Sequence, residues 1–365
     1  MNISMQIKNN IIKLHSKRVW RTYLGGEQIS RWHGLDNPVD NEYPEEWIAS
    51  VNMSISAEGK ELADGLAGLA DNDNVTLKSV IDAAPQLYLG NAHVDKHGNS
   101  LGMLTKMIDS LTRLGIQVHP DKNTAMEMFS SHYGKTESWY IVGGRTIDGE
   151  PPHVFLGFKK GVTKERLFEL FEKQDCSGML GCLHRIEVKP GDVLIIKGGV
   201  PHAIGKGCFL IELQEPTDYT FRLEKTAPSG VELSEDFMSL GLGFQRMFEC
   251  FDYGTYSLEE VLNLWMIKPK ISESDGVKVI TLIDSDTTEL FGMLQISAMK
   301  RCTVDLKNSF AVAIMLEGKG RLCKGEERVL LNQGETAFLP IYAGNVDLEP
   351  ESGRETKLVL CFPPK

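Results

Sequence analysis

The feature that most constrains the fold is a strand–turn–strand unit that occurs twice. In HRIEVKPGDVLIIKGG (184–199) a Lys-Pro-Gly-Asp turn separates two apolar strands. Gly191-Asp-Val-Leu-Ile-Ile-Lys197 runs parallel to Gly334-Glu-Thr-Ala-Phe-Leu-Pro340, each after an apolar strand and a tight turn. The repeat predicts two β-barrels in one chain, mainly β with helical insertions. CFLIELQ (208–214) and DYTFRL (218–223) alternate in period two. From about 277 onward the chain reads almost entirely as strand, with turns at 318–320 and 332–335. Helices are expected where apolar residues recur at i, i+3 and i+4: residues 60–85, 163–174, 233–240 and 257–264. A length of 365 residues suits about two domains at roughly 100–200 residues each. The expected division is 1–270, with helical insertions near 60–86, 161–175 and 232–265, and 271–365.

The two copies are unequal in chemistry. Eleven residues after Gly191 stands His202, and eleven after Gly334 stands Asn345. All nine histidines lie at or before position 202. The second copy is therefore expected to keep the fold and not the site.

Composition excludes several functions. Fifty acidic residues against 39 basic ones give a formal charge of −11, which argues against nucleic acid and anionic membrane as partners. A small anion held by a few local cations remains compatible with that balance. Seven cysteines, with no CxxC pair, point to a reducing, cytoplasmic setting. The opening MNISMQIKNNIIKLHSKR shows no apolar leader. The longest apolar run, Phe310 to Leu316, is far short of the ~18–20 residues of a membrane span.

Three segments carry metal-ligand chemistry. On a strand through GIQVHPDKN (115–123), Gln117 and His119 share one face while Val118 points away. GKTESWYIVGG (134–144) supplies Lys135 and Glu137, and GGVPHAIG (198–205) supplies His202 after a bend. Two imidazoles, a carboxylate and an amide oxygen make an open site that suits Zn²⁺ and tolerates Mn²⁺, Fe²⁺, Co²⁺ or Ni²⁺. His15, His33, His93, His97, His132, His153 and His184 have no comparable setting and read as ordinary hydrogen-bonded histidines.

The spacing Gly191, Lys197, Gly199, His202 resembles the second motif of the cupin superfamily, G-x5-P-x-G-x2-H, with Lys197 in place of proline. The whole set of segments resembles the type I phosphomannose isomerases: QVHP (117–120), GKTESWY (134–140) and PHA (201–203). Glu212-Leu-Gln-Glu-Pro-Thr-Asp-Tyr-Thr-Phe-Arg222 is similar to that family's E-x4-S/T-D-x-T-x-R strand. PEEWIAS (44–50) and LTKMIDSLTRLGIQVHP (104–120) complete a match, in order, over about residues 19–225. Two departures stand out: Lys122 replaces the second aspartate of HPDD, and Trp20 is separated from Gly25-Gly26.

The resemblance implies two cupin-type jelly rolls, the second degenerate. It implies one zinc per chain on Gln117, His119, Glu137 and His202. It also implies an enzyme that interconverts mannose 6-phosphate and fructose 6-phosphate through an enediol. Such chemistry needs a base, an electrostatic stabiliser of the developing oxyanion, and a phosphate anchor. By position Glu212 takes the proton, Arg222 and Lys135 surround the reacting end or the phosphate, and Lys106 and Glu45 line the pocket. Two other readings are carried forward: a cupin isomerase for another sugar phosphate, and a non-catalytic sugar-phosphate sensor. Oligomeric state is left open.

Overall fold

Runs such as Val193–Ile196, Cys208–Gln214, Ala311–Glu317 and Thr356–Phe362 are apolar on both faces or nearly so, as strands packed on both sides require. The computed structural model describes residues 9–15, 17–56, 60–351 and 353–365, so the first eight residues of the opening read above for a leader lie outside the described residues. It is mainly β, with short helices between strands. Among the described residues no helix is long and apolar enough to cross a membrane.

The strands that build the site and its counterpart are numbered in chain order. The first set is β1 (Ile12–His15), β2 (Glu45–Ile48), β3 (Leu104–Asp109), β4 (Gln117–Val118), β5 (Glu137–Gly144) and β6 (His153–Lys159). It continues with β7 (Leu183–Glu187), β8 (Val193–Ile196), β9 (His202–Ile204), β10 (Cys208–Gln214) and β11 (Phe221–Arg222). The second set is β12 (Val277–Ile283), β13 (Gly292–Ala298), β14 (Cys302–Val304), β15 (Ala311–Glu317) and β16 (Lys319–Lys324). It ends with β17 (Glu327–Asn332), β18 (Thr336–Leu339), β19 (Val346–Pro350) and β20 (Thr356–Phe362).

The two sets share one pairing plan, antiparallel throughout. In the first, β5 lies between β8 and β10, β10 pairs with β3, β3 with β2, and β6 lies between β7 and β9, which pairs with β4. In the second, β15 lies between β18 and β20, β20 pairs with β13, β13 with β12, and β16 lies between β17 and β19, which pairs with β14. Even the register shift recurs: the β5–β10 ladder slips between Ile141 and Gly143, and the β15–β20 ladder at the matching step between Met315 and Glu317. The repeat read from Gly191 and Gly334 is thus a repeat of topology. Both glycines take positive φ, 97° and 86°, closing the turns before β8 and β18.

The two sets are tied together by the N-terminal strand. β1 pairs with β18, so Ile12–His15 extends the sheet of the second set. The two largest apolar clusters divide between the sets. One lies mainly in the first set and reaches into the second through Phe310, Val312, Ile314 and Phe338; the other lies almost wholly in the second set.

Helices form over Lys164–Glu172, Glu235–Ser239 and Leu258–Trp265, as their spacing predicts, the last with a Ser257–Glu260 capping box. The expected helix over 60–85 is corrected. Apart from a single 3-10 turn at Ala63–Gly65, helix begins only at Leu77, where the Thr76 hydroxyl accepts the Ser79 N–H at 3.1 Å. Before it, Gly68–Leu69 and Asn72–Thr76 are strands, and Gly68 and Leu69 pair with β1. Gly65 sits so close to the backbone of Asn52 and Ser54 that a Cβ would stand 2.6–2.7 Å from them. That approach favours a turn, which the apolar spacing alone did not distinguish from a helix. DYTFRL is also less regular than expected: only Phe221–Arg222 joins a sheet.

Candidate metal centre and active-site cleft

Register assembles the site from two facing rows. Across one sheet Arg222, Gln117 and His202 stand side by side, because β11 and β9 flank β4. Across the other, Lys106, Glu212 and Trp139 stand side by side on β3, β10 and β5. Laterally paired residues share a face, so each row points one way. Glu137 lies two residues before Trp139 on β5 and shares its face. Val118 turns away into an apolar cluster with Ile116 and Phe221, as alternation requires.

His119, Glu137 and His202 converge with their side chains almost wholly buried. His119 Nε2 and His202 Nε2 are 3.2 Å apart, and they stand 3.2 and 3.3 Å from the two Glu137 carboxylate oxygens. The Gln117 amide lies 3.2 Å from His202 Nε2, and a half-turn of that amide presents its oxygen. Each imidazole donates Nδ1–H to a backbone carbonyl, His119 to Tyr219 and His202 to Val200, both at 2.8 Å. These hydrogen bonds assign the tautomers and leave both Nε2 lone pairs aimed inward.

Three acceptors, four with the amide turned, therefore meet at one point. Their separations are near the roughly 3.3 Å expected of donors sharing a tetrahedral ion at about 2.0–2.1 Å. The donor chemistry fits a small divalent metal. Lys135 is the cation on this spot: its ammonium lies 2.8 Å from His119 Nε2 and donates to Glu137 Oε2. Burial, then the Lys135 charge, push the His119 imidazolium down to about 3, so the ring is neutral as a metal ligand must be. Burial opposes ionisation of Glu137, but Lys135 overrides it and holds the carboxyl well below the usual range.

Beside this ring opens a cleft lined by Gln117, Lys135, Glu212, Lys106, Glu45 and Arg222 among others. All nine residues singled out from the sequence thus stand in the cleft or the ring beside it. Lys106 is almost wholly buried on β3, 2.9 Å from Glu212 Oε1 and 3.9 Å from both Glu45 and Asp218. Its pKa is raised, because Glu212 and Glu45 outweigh burial. Burial, then Glu137, raise the Glu212 carboxyl above its ordinary value. Arg222 is half-buried, donates to the Thr220 and Phe237 carbonyls at 2.9 and 3.3 Å, and lies 4.3 Å over the Phe237 ring. Burial lowers its pKa to about 10, so it stays charged.

Several groups went unnoticed in the sequence. Arg21 pairs with Glu45 at 2.8 Å and Asp218 at 3.5 Å, and Tyr23 and Trp47 donate to Glu45 at 2.8 and 2.9 Å. Burial opposes ionisation of Asp218, but Arg21 and Lys106 bring its pKa down to about 2. Asp218 and Trp139 both lie inside segments quoted for the resemblance, which was their available signal. Arg21 had none beyond adjacency to Trp20. Most of the histidines set aside have ordinary partners, among them His33 with Glu46 at 2.7 Å and His184 with the Tyr256 carbonyl at 2.9 Å.

This arrangement defines a metal-site protein built on a doubled antiparallel β-fold. Residues 12–137 match the family model of the phosphomannose isomerase type I catalytic domain. Mannose-6-phosphate isomerase ManA of Bacillus subtilis (strain 168) is 28% identical over 265 residues, covering 69% of this chain and 73% of that protein. A crystal structure of the mannose 6-phosphate isomerase from Bacillus subtilis aligns with a TM-score of 0.74 at 20% identity, over 97% of this chain and 99% of the other. A mannose 6-phosphate isomerase structure described as holo and zinc-bound aligns with a TM-score of 0.71 at 15% identity, over 98% and 100%. The chain is thus similar in sequence to the type I phosphomannose isomerases and shares their fold.

Proposed function

We propose that this chain is a zinc-dependent aldose–ketose isomerase that interconverts mannose 6-phosphate and fructose 6-phosphate. The observation that carries the reading is the inward-facing ring of Gln117, His119, Glu137 and His202 beside a cleft holding Glu212 and buried cations. The relatives named above support it. Those four residues would hold one zinc, which supplies Lewis-acid polarisation of substrate oxygens. The setting that fits this metabolism is the cytoplasm, with a phosphosugar as the small-molecule partner. We read residues 1–270 and 271–365 as two cupin-type jelly rolls, the second degenerate.

Glu212 is the base. It takes the proton from C2 of the aldose, the C–H electron pair becomes the C1–C2 double bond of an enediol, and O1 is protonated. Return of the proton to C1, with loss of the O2 proton, gives the ketose. A raised carboxyl pKa suits a group that must both accept and return a proton. Lys106 and Lys135 place positive charge beside the developing oxyanion. Arg222, with Arg21 behind it, lies where the cleft meets an outer cavity lined by Trp20, Phe129, Tyr219 and Phe237, and it receives the phosphate.

The test is a panel of hexose 6-phosphates assayed with purified enzyme and with Glu212→Gln. Turnover of mannose 6-phosphate well above glucose 6-phosphate, lost in the variant while zinc stays bound, is the expected result. Preference for another sugar phosphate overturns the substrate assignment, and an inert wild-type enzyme with zinc bound overturns the isomerase reading.

A further inference from the structure

Trp139 is fully buried on β5, directly opposite Glu212 on β10. Its indole nitrogen has one proton and stands between two carboxylates: 3.1 Å from Glu137 Oε1 and 3.2 Å from Glu212 Oε2. We propose that Trp139 is a positioning residue, whose shared N–H holds the metal-ligand carboxylate and the base at a fixed separation and leaves Glu212 Oε1 as the oxygen that takes the substrate proton. The inference rests on the isomerase reading.

Glu137 Oε1 otherwise faces His202 Nε2 at 3.3 Å, a lone pair that cannot donate. The indole N–H is thus the donor that this oxygen has. For Glu212, the N–H claims Oε2. Oε1 has no hydrogen-bond partner among the described residues, although the Lys106 ammonium is 2.9 Å away and balances its charge. One oxygen of the base is tied and the other is paired only electrostatically, on a side chain that lines the cleft.

A purely structural role would be met by the ring, which belongs to the main apolar cluster, and would not need the indole N–H. The ring also packs edge-on to His202, with centroids 5.6 Å apart, a contact that phenylalanine can make. At the matching register of the second set stands Ala313, opposite Ala337 and Leu360, where there is no carboxylate to orient. When Glu212 Oε1 gains the substrate proton, Oε2 becomes the carbonyl oxygen of a neutral acid and a weaker acceptor. The N–H then shifts its bond toward Glu137, so the proton's arrival at the base is felt at the metal ligand.

The test is Trp139→Phe, alone and combined with Glu212→Gln, measuring kcat, KM and zinc affinity of the apoprotein by competition with a chelating dye. The single variant is expected to lose about 10- to 100-fold in kcat with KM within about 2-fold. Zinc affinity should weaken by about 10-fold or more, as for other partners of a metal ligand. In the Glu212→Gln background the same change should cost kcat under about 3-fold. Equal losses in both backgrounds, or an unchanged kcat and zinc affinity, overturn the proposal. Should Trp139→Phe fail to fold, indole N–H spectra of the holoprotein serve instead. One of the five tryptophan signals should move both on zinc removal and in Glu212→Gln, and if none moves in Glu212→Gln the proposal is wrong. An inert wild-type enzyme would sink the isomerase reading alone, because the zinc and spectral readouts still decide whether the indole couples the two carboxylates.

Discussion

The same strand plan is used twice in this chain, and the two copies have opposite interiors. In the first, Lys106, Glu212 and Trp139 stand in a row, with Glu137 two residues along. In the second, the matching positions are Leu294, Leu360, Ala313 and Ala311, all in one apolar cluster. Where the first copy reaches His202, the second has Asn345, whose side-chain oxygen accepts the Leu306 N–H at 3.3 Å. The backbone ladder therefore tolerates either interior. Buried charge in the first copy is an addition to a fold that stands without it, and each such charge must be paired to be tolerable.

That contrast can be broken most sharply at the ring. His202→Ala should lose the bound zinc and reduce turnover by on the order of 10³-fold or more, since several kcal/mol of charge stabilisation depend on the metal. Asn345→His should leave zinc content at one per chain, because among the described residues the second copy holds no group of metal-ligand side chains. Metal analysis beside the isomerase assay reads both. A second zinc in the latter variant would contradict the comparison.

Glu212→Gln is next, with a loss of about 10²-fold or more in kcat and zinc retained. Full activity would move the base elsewhere. The pair it forms with Lys106 makes a further test by urea unfolding. Lys106→Leu alone should destabilise by about 3–5 kcal/mol, because it strands a buried carboxylate. Lys106→Leu with Glu212→Leu, which copies the second interior into the first, should recover most of that loss while remaining inactive. A double variant as unstable as the single one would show that the two interiors are not interchangeable.

In the second copy the expected effects fall on stability alone. Leu360→Ala should cost about 2–5 kcal/mol through the cavity it leaves, with kcat within about 2-fold. A specific loss of turnover there would give the second copy a role in catalysis. The smallest effect concerns Asp218, held at about 2 against an unfolded value of about 3.9. Its contribution is present above the unfolded pKa and is lost as pH falls through about 2. Asp218→Asn should flatten acid unfolding between about pH 4 and 2. An unchanged acid limb would mean that its pairing with Arg21 and Lys106 does not persist in solution.

How much of this was legible in the sequence depended on how local each signal is. Gln117, His119, Glu137 and His202 were readable through the motifs QVHP (117–120), GKTESWY (134–140) and PHA (201–203), since their spacing alone does not tell a ligand from an ordinary polar residue. The repeat was readable because two tight turns recur before apolar strands. Glu212 and Lys106 were not readable from alternation alone: which face of β10 looks into a cleft is settled by β3 and β5 beside it, and those contacts are distant in sequence. Arg21 is more distant still, since its partners are Glu45 and Asp218. The misread segment at 60–76 shows the converse, where helical spacing arose by accident of turns between short strands, of which Gly68–Leu69 pairs with β1 and Asn72–Thr76 pairs with Gly68–Leu69.

The account's central claim is that one ring, in one copy, carries the chemistry. Titrating zinc into the chelator-stripped chain tests it most directly, with turnover of mannose 6-phosphate followed at each addition. Turnover should rise linearly and stop at one equivalent. Turnover that is full before any zinc is added, or that stays at zero once one equivalent is bound, would contradict it.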